Sequence, residues 1–263
     1  AHQAVLFLGQ VFNAAAALAA YALAAAFTRR RWAGVGAALV VGALSFLPAY
    51  FVSWGRYTQL AGLVLLPAAC LATAWQLEAP SSRRGAWLAA GLLLAGMALT
   101  HYRVLVFYAL FWLCYPALVL WRARGAKAAW IALAGRGALL GGLALALTLP
   151  WAARLLLRIV PRVDALYGGW EASAGYNAFP GFLLDVGWTR QLLYVAGIGA
   201  AWAVLRGKGE MIALSVWVGL WFLVANLRVL GLYDLWLVHN EAVVISLWLP
   251  VGVLCGWLAA DLG

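Results

Sequence analysis

Long apolar runs alternate with short polar stretches from one end of the chain to the other. Nine runs stand out, at about residues 4–27, 32–52 and 60–77, two within 85–121 joined by Thr100, His101, Tyr102 and Arg103, and 137–153, 188–205, 211–227 and 242–259. The hydrocarbon core of a bilayer is about 30 Å thick and holds no water to satisfy free backbone groups, so one crossing takes roughly 20 residues of helix. The pattern therefore predicts an all-α, polytopic integral membrane helical bundle with about nine transmembrane helices, forming a single transmembrane domain over residues 1–263. Pro67 falls inside the third run and predicts a kink that neighbouring helices can absorb, while Pro48 lies near the outer end of the second run and Pro250 in the middle of the ninth. Gly137, Gly141 and Gly142 give a spacing of small residues suited to close helix contact. After Pro150, Arg154 and Arg158 stand four apart among Leu155, Leu156, Ile159 and Val160, which reads as a short helix lying in the membrane interface. An extracytoplasmic loop follows, at about residues 154–190.

Charge orients the runs. Arg29, Arg30 and Arg31 close the first run and mark that end as cytoplasmic, which puts the first residue outside. By alternation Arg83, Arg84, Arg122, Arg124, Lys127, Arg136, Arg206 and Lys208 also lie inside. The remaining cations are all arginine: Arg56, Arg103, Arg154, Arg158, Arg162, Arg190 and Arg228. So many outside cations exceed what the positive-inside rule expects, and phosphate is the anion that suits a planar guanidinium fork. The three histidines, His2, His101 and His239, fall on that same side.

Composition narrows the class. With 67% apolar and 10% charged residues, a water-soluble fold could not cover its own surface. The net charge of +10 is spread between apolar runs rather than gathered on one face, so membrane lipids are the expected partner and nucleic acid is not. Cys70, Cys114 and Cys255 each sit inside an apolar run, where they act as small hydrophobes. Trp32, Trp75, Trp87 and Trp121 near inner ends, with Trp54, Trp151 and Trp188 near outer ends, predict interfacial belts. Arginine far outnumbers lysine and alanine is abundant, as in GC-rich bacteria, so the expected location is a bacterial cytoplasmic (inner) membrane.

Candidate chemistry gathers on the outer side. Arg56, His101, Arg103, Arg154, Arg158 and His239 are the candidate ligands for a lipid phosphate, and Glu241 and Asp164 are the candidate catalytic acids or bases. A structural reading stands beside each. Arginines snorkel to headgroups, a histidine at a helix start bonds backbone, and Asn240 or Glu241 can cap the helix that follows. Asp164, Glu171 and Asp185 share a polar segment without metal-ligand spacing, so no metal site is assigned and no cofactor is expected, while a divalent ion stays open.

The run Trp54-Gly55-Arg56-Tyr57-Thr58-Gln59, continuing from Leu60 to Pro67, resembles bacterial multi-spanning proteins of the C-type (GT-C) glycosyltransferase superfamily. Leu99-Thr100-His101-Tyr102-Arg103 and the stretch from His239 to Gly256 fit the same pattern. The resemblance implies a polyprenyl-phosphate or polyprenyl-pyrophosphate sugar donor, used at the extracytoplasmic face. It assigns Arg56, Arg103 and His101 to the donor phosphate and lets the Arg154–Arg158 segment guide the lipid. The superfamily's catalytic acid stands in an outer loop between its first two crossings, and nothing before Arg56 corresponds to that loop. The chain begins at Ala1 and reads as a piece lacking those crossings, or as a relative without activity. Two other readings remain open: a non-catalytic transmembrane subunit or scaffold joined to other membrane subunits, and a transporter or flippase for a lipid-linked sugar.

Overall fold

The computed structural model describes residues 2–78, 84–159, 161–162, 177–232 and 237–263, and among these every regular element is helical. The chain runs through α1 (His2–Thr28), α2 (Arg31–Leu39), α3 (Leu47–Ser53), α4 (Tyr57–Glu78), α5 (Arg84–Thr100), α6 (Tyr102–Arg122) and α7 (Lys127–Arg154). It continues through α8 (Thr189–Leu205), α9 (Gly209–Ala225), α10 (Asn240–Ser246) and α11 (Trp248–Leu262). Helices thus form where the apolar runs stand, yet the count of crossings changes. Five described helices are long and apolar enough to span a membrane: Gln3–Thr28, Tyr57–Glu78, Tyr102–Arg122, Lys127–Ile159 and Asn240–Leu262. A sixth arises if Arg31–Leu44 and Leu47–Ser53, bent by 44°, act as one span. The expectation of nine is corrected for a reason of length. Helices α5, α8 and α9 have 17 residues each, about 26 Å against a core of about 30 Å.

The bend between α2 and α3 has a local cause. A π-helical turn, Val40–Leu44, ends in extended backbone at Ser45, and Pro48, which has no N–H to leave unpaired, restarts the helix in its first turn. A second correction concerns residues 154–159. They form no separate interfacial helix but continue α7 through a π turn, Leu155–Ile159, and Pro150 stays inside the helix. The result is a continuous helix of 33 residues, about 50 Å long and longer than the bilayer core. The stretch expected as an outer loop therefore begins later, and its described part returns through Asn177 and a 3-10 turn, Gly181–Asp185.

Close approach of α2 and α11 organises the packing. A Cβ added at Gly256 would lie 2.4 Å from both Ala33 O and Ala37 N, and one at Gly252 would lie 2.5 Å from Val41 Cγ2. Small residues four apart let the two backbones touch, as in membrane helix pairs generally. The spacing expected at Gly137, Gly141 and Gly142 does not serve this purpose: a Cβ at Gly141 or Gly142 meets nothing within 4 Å. Aromatic rings fill the rest of the core, with Phe107 stacked on Trp221 at 4.1 Å and Phe111 on Tyr115 at 5.1 Å. Trp217, Trp221, Trp248 and Trp257 are buried there, whereas Trp32, Trp54, Trp75, Trp121, Trp151 and Trp188 are exposed where belts were expected. The three cysteines are buried.

Candidate functional site

Arg56 owes its position to the end of α3. Gly55 adopts φ 72°, a left-handed conformation that costs glycine nothing, and the turn closes with Arg56 N–H donating to Phe51 O at 2.9 Å and Gly55 N–H to Val52 O at 3.2 Å. The guanidinium then lies over the Trp54 ring, its Cζ 3.4 Å from the ring centroid. A second arginine comes from the α5–α6 hairpin, whose connection is the single residue His101. His101 is the N-cap of α6: its backbone is extended and its Nδ1 accepts the Arg103 N–H at 3.3 Å. Arg103 extends past Tyr102, with its Cζ 5.2 Å from that ring.

The third segment of the site is the start of α10. Asn240 or Glu241 was expected to cap it, and the cap is instead His239, whose extended backbone (φ −124°, ψ 162°) aims Nδ1 at the Ala242 N–H, 2.9 Å away. Asn240 is thereby left to bind two other segments. Its side chain and that of Asn226, just past the end of α9, exchange reciprocal amide hydrogen bonds of 2.7 and 2.9 Å. Its Nδ2 also donates to Asn177 O at 2.9 Å, and its backbone N–H donates to Asn177 Oδ1 at 2.8 Å. Glu241 accepts a long hydrogen bond of 3.5 Å from the Tyr50 hydroxyl on α3.

These groups share one electrostatic neighbourhood. Burial, then the charges of Arg103 and Arg56, pushes His101 down to about 4. Burial, then Arg103, pushes His239 down to about 4 as well, with Arg56 adding to the effect. Arg56 is lowered by burial and by Arg103, and Glu241 acts against that. Desolvation disfavours each charge, and two like charges disfavour each other. Both histidines are consequently neutral at physiological pH. With Nδ1 of His101 occupied as an acceptor, its proton sits on Nε2, which makes that atom a donor. Neither histidine is matched to take up a proton near neutrality.

The opposite end of the bundle shows what is unusual here. There Arg30 and Arg206 pair with Asp261 at 3.0 and 3.4 Å, Arg122 pairs with Glu210 at 2.9 Å, and Arg136 donates to Gln76 O and Leu77 O at 2.7 Å. At the Arg56 end neither Arg56 nor Arg103 forms an ion pair among the described residues. Among the described residues, two half-buried guanidiniums against the carboxylate of Glu241 leave a net positive site. Such a site suits an anion.

The structure does not bring every candidate here. Arg154 and Arg158 are exposed on the last turns of α7, and no described interaction joins them to the cluster. Asp164 and Glu171 lie outside the described residues, while Asp185 pairs with Arg190. No group of three or more His, Cys, Asp or Glu among the described residues could hold a metal ion. Tyr50, Asn177 and Asn226 belong to the site without having been anticipated. Asn226 did carry a signal, as an amide closing an apolar run just before Arg228.

Fold and site together define a multi-span, all-helical membrane protein with a basic cluster gathered at one end of its bundle. Compared with known proteins, the chain matches no family model, no curated protein and no solved structure.

Proposed function

We propose that this chain binds the phosphate of a polyprenyl-linked sugar and takes part in transferring that sugar to an acceptor at the extracytoplasmic face of a bacterial cytoplasmic membrane, in the manner of a GT-C glycosyltransferase. One observation carries the reading. Arg56, in the turn between α3 and α4, and Arg103, on α6, stand close enough to depress the Arg56 guanidinium and both histidines, and no carboxylate among the described residues pairs directly with either arginine. A half-buried, unpaired pair of guanidiniums is costly unless a ligand supplies the anion.

In the reaction, an acceptor hydroxyl oxygen bonds to the anomeric carbon as the bond from that carbon to the phosphate oxygen breaks. The electron pair leaves with the phosphate, where Arg56 and Arg103 stabilise the growing charge and the His101 Nε2–H donates a hydrogen bond. The acceptor's proton passes to a carboxylate, for which Glu241 and Asp164 are this chain's candidates. His239 fixes the start of α10 on which Glu241 stands.

Native mass spectrometry of the purified protein, with identification of the lipids it retains, tests the reading. A polyprenyl-phosphate lipid present in the wild type and lost in Arg56→Ala and Arg103→Ala is the expected result. Retention of bulk phospholipids alone, with partner subunits attached, would replace the reading with that of a non-catalytic subunit.

A further inference from the structure

Helices α6 and α9 pack antiparallel along one side of the bundle. Near the start of α6 the Trp217 indole N–H donates to Phe107 O at 2.7 Å, and at the far end a Cβ added at Gly209 would lie 2.8 Å from Leu118 Cδ1 and 3.3 Å from Arg122 Nη2. Along this seam runs an apolar groove of about 450 Å³, larger than the groove of about 290 Å³ between α8, α9 and α11. Small residues hollow it, Ala117 on α6 with Gly209 and Ala213 on α9, and three of its other lining residues, Leu113, Trp121 and Val216, are exposed. A concave, almost wholly apolar surface of this size suits a ligand made of hydrocarbon.

Its length and its ends narrow the ligand. The lining residues extend from Trp121 to Leu113 on α6 and from Gly209 to Leu220 on α9, about 12 Å and about 17 Å of helix. One leaflet of the hydrocarbon core is about 15 Å deep, half of about 30 Å. The groove is therefore as long as one leaflet, and one end of it stands among charged residues. There Arg122 is taken up by Glu210 at 2.9 Å, with Glu78 at 3.7 Å. Arg124 follows the end of α6, its N–H donating to Trp121 O at 3.1 Å, and Lys208 is the N-cap of α9, its carbonyl accepting the Met211 and Ile212 N–H groups at 3.0 Å. Neither Arg124 nor Lys208 forms an ion pair among the described residues. One uncompensated cation thus stands at the charged end of each helix that lines the groove.

We propose that this groove is a binding site for one anionic phospholipid of the leaflet at the Arg122 end, with an acyl chain lying between α6 and α9 and the headgroup phosphate drawn to Arg124 and Lys208. The apolar length sets the chain, and the two cations set the sign of the headgroup. A phosphatidylglycerol brings one net negative charge to them, whereas a phosphatidylcholine brings its own ammonium as well. Cations that merely snorkel to headgroups would be indifferent to the shape of the groove beside them. The site lies at the opposite end of the bundle from Arg56 and does not rest on the sugar-transfer reading.

Native mass spectrometric titration of the detergent-solubilised protein with dioleoyl phosphatidylglycerol and dioleoyl phosphatidylcholine tests it. The wild type is expected to bind one phosphatidylglycerol at least about tenfold more tightly than phosphatidylcholine, since each cation contributes about fivefold. Arg124→Asn, chosen because asparagine accepts the left-handed backbone there (φ 52°), and Lys208→Gln should each cut that preference by about fivefold and leave phosphatidylcholine within about twofold. Ala117→Trp and Val216→Trp fill the groove and should weaken both lipids by about tenfold or more, whereas Leu145→Trp, at an exposed position of α7 outside the groove, should weaken neither. Arg56→Ala should leave both affinities as they are. Equal binding of the two lipids by the wild type, charge variants that keep the preference, or equal effects of the groove and α7 tryptophans overturn the proposal. So does a loss of phosphatidylglycerol in Arg56→Ala, which would put that lipid at the other end of the bundle. Failure of both groove variants to fold overturns it too, because a groove filled by lipid has room for a larger side chain.

Discussion

Replacing Asn240 with alanine removes three side-chain hydrogen bonds in one step: two in the reciprocal exchange with Asn226, and one to the Asn177 carbonyl. Asn240 is 5% exposed, so water cannot take their place. A side-chain hydrogen bond in a membrane protein contributes about 0.6 kcal/mol on average and a typical protein hydrogen bond about 1 kcal/mol, which puts the three at about 2–3 kcal/mol. The Asn177 carbonyl and the Asn226 Oδ1 are left without those donors, which moves the expected loss toward about 3–4 kcal/mol. The assay is reversible denaturation in mixed micelles, with Asn226→Ala and the double variant completing a cycle. Because the two side chains bond to each other, their losses should be strongly non-additive, with a coupling of at least about 1 kcal/mol. Lipid-phosphate binding should fall along with stability, since Asn240 fixes the helix start that presents His239 and Glu241. A loss below about 1 kcal/mol with additive single variants would refute the claim that this amide node holds the site together.

The other predictions concern charge, pH and packing. Arg56→Ala or Arg103→Ala should each reduce affinity for a polyprenyl phosphate by about tenfold or more, and Lys at either position should restore it only in part, because the forked geometry is lost; equal binding by all variants would argue against a two-arginine site. Both histidines fall from an ordinary 6.5 to about 4 in the folded protein, so the unfolded chain holds more protons between those values. The stability they confer is full above pH of about 6.5 and is lost as pH falls toward about 4, and the thermal midpoint should drop across that window. A His101→Asn, His239→Asn variant keeps two helix caps and should show a shallower drop; an unchanged pH profile would count against the assignment. Gly256→Ala should cost about 1–3 kcal/mol because its Cβ meets the α2 backbone at 2.4 Å, while Gly142→Ala on α7, with open space around it, should be neutral or stabilising by up to about 1 kcal/mol. Thermal denaturation of the two glycine variants compares them directly, and equal effects would contradict the α2–α11 contact.

What the sequence determined by itself was the solvent and the elements. Sixty-seven per cent apolar composition and regular polar punctuation demand a bilayer and helices, because hydrocarbon leaves backbone groups only internal partners. Helix ends were legible for similarly local reasons: Gly55 favours a turn, and Thr100 to Arg103 form the polar joint between two apolar runs, so Arg56 and the His101–Arg103 tip stood out as polar side chains at helix ends. What tertiary structure decided was everything that depends on neighbours. Whether an apolar run is long enough to cross depends on where its helix begins and ends, and α5, α8 and α9 came out short. Whether Pro150 breaks α7 depends on how the backbone reorganises beyond it, and a π turn carried the helix past Arg154, away from the cluster. Close contact chose Gly252 and Gly256 over Gly141 and Gly142 because only the former face another backbone. The joining of Arg56, Arg103, His239 and Glu241 is likewise tertiary. Their helices are separated by up to about 180 residues of chain, and local propensity carries no information about which helix ends meet.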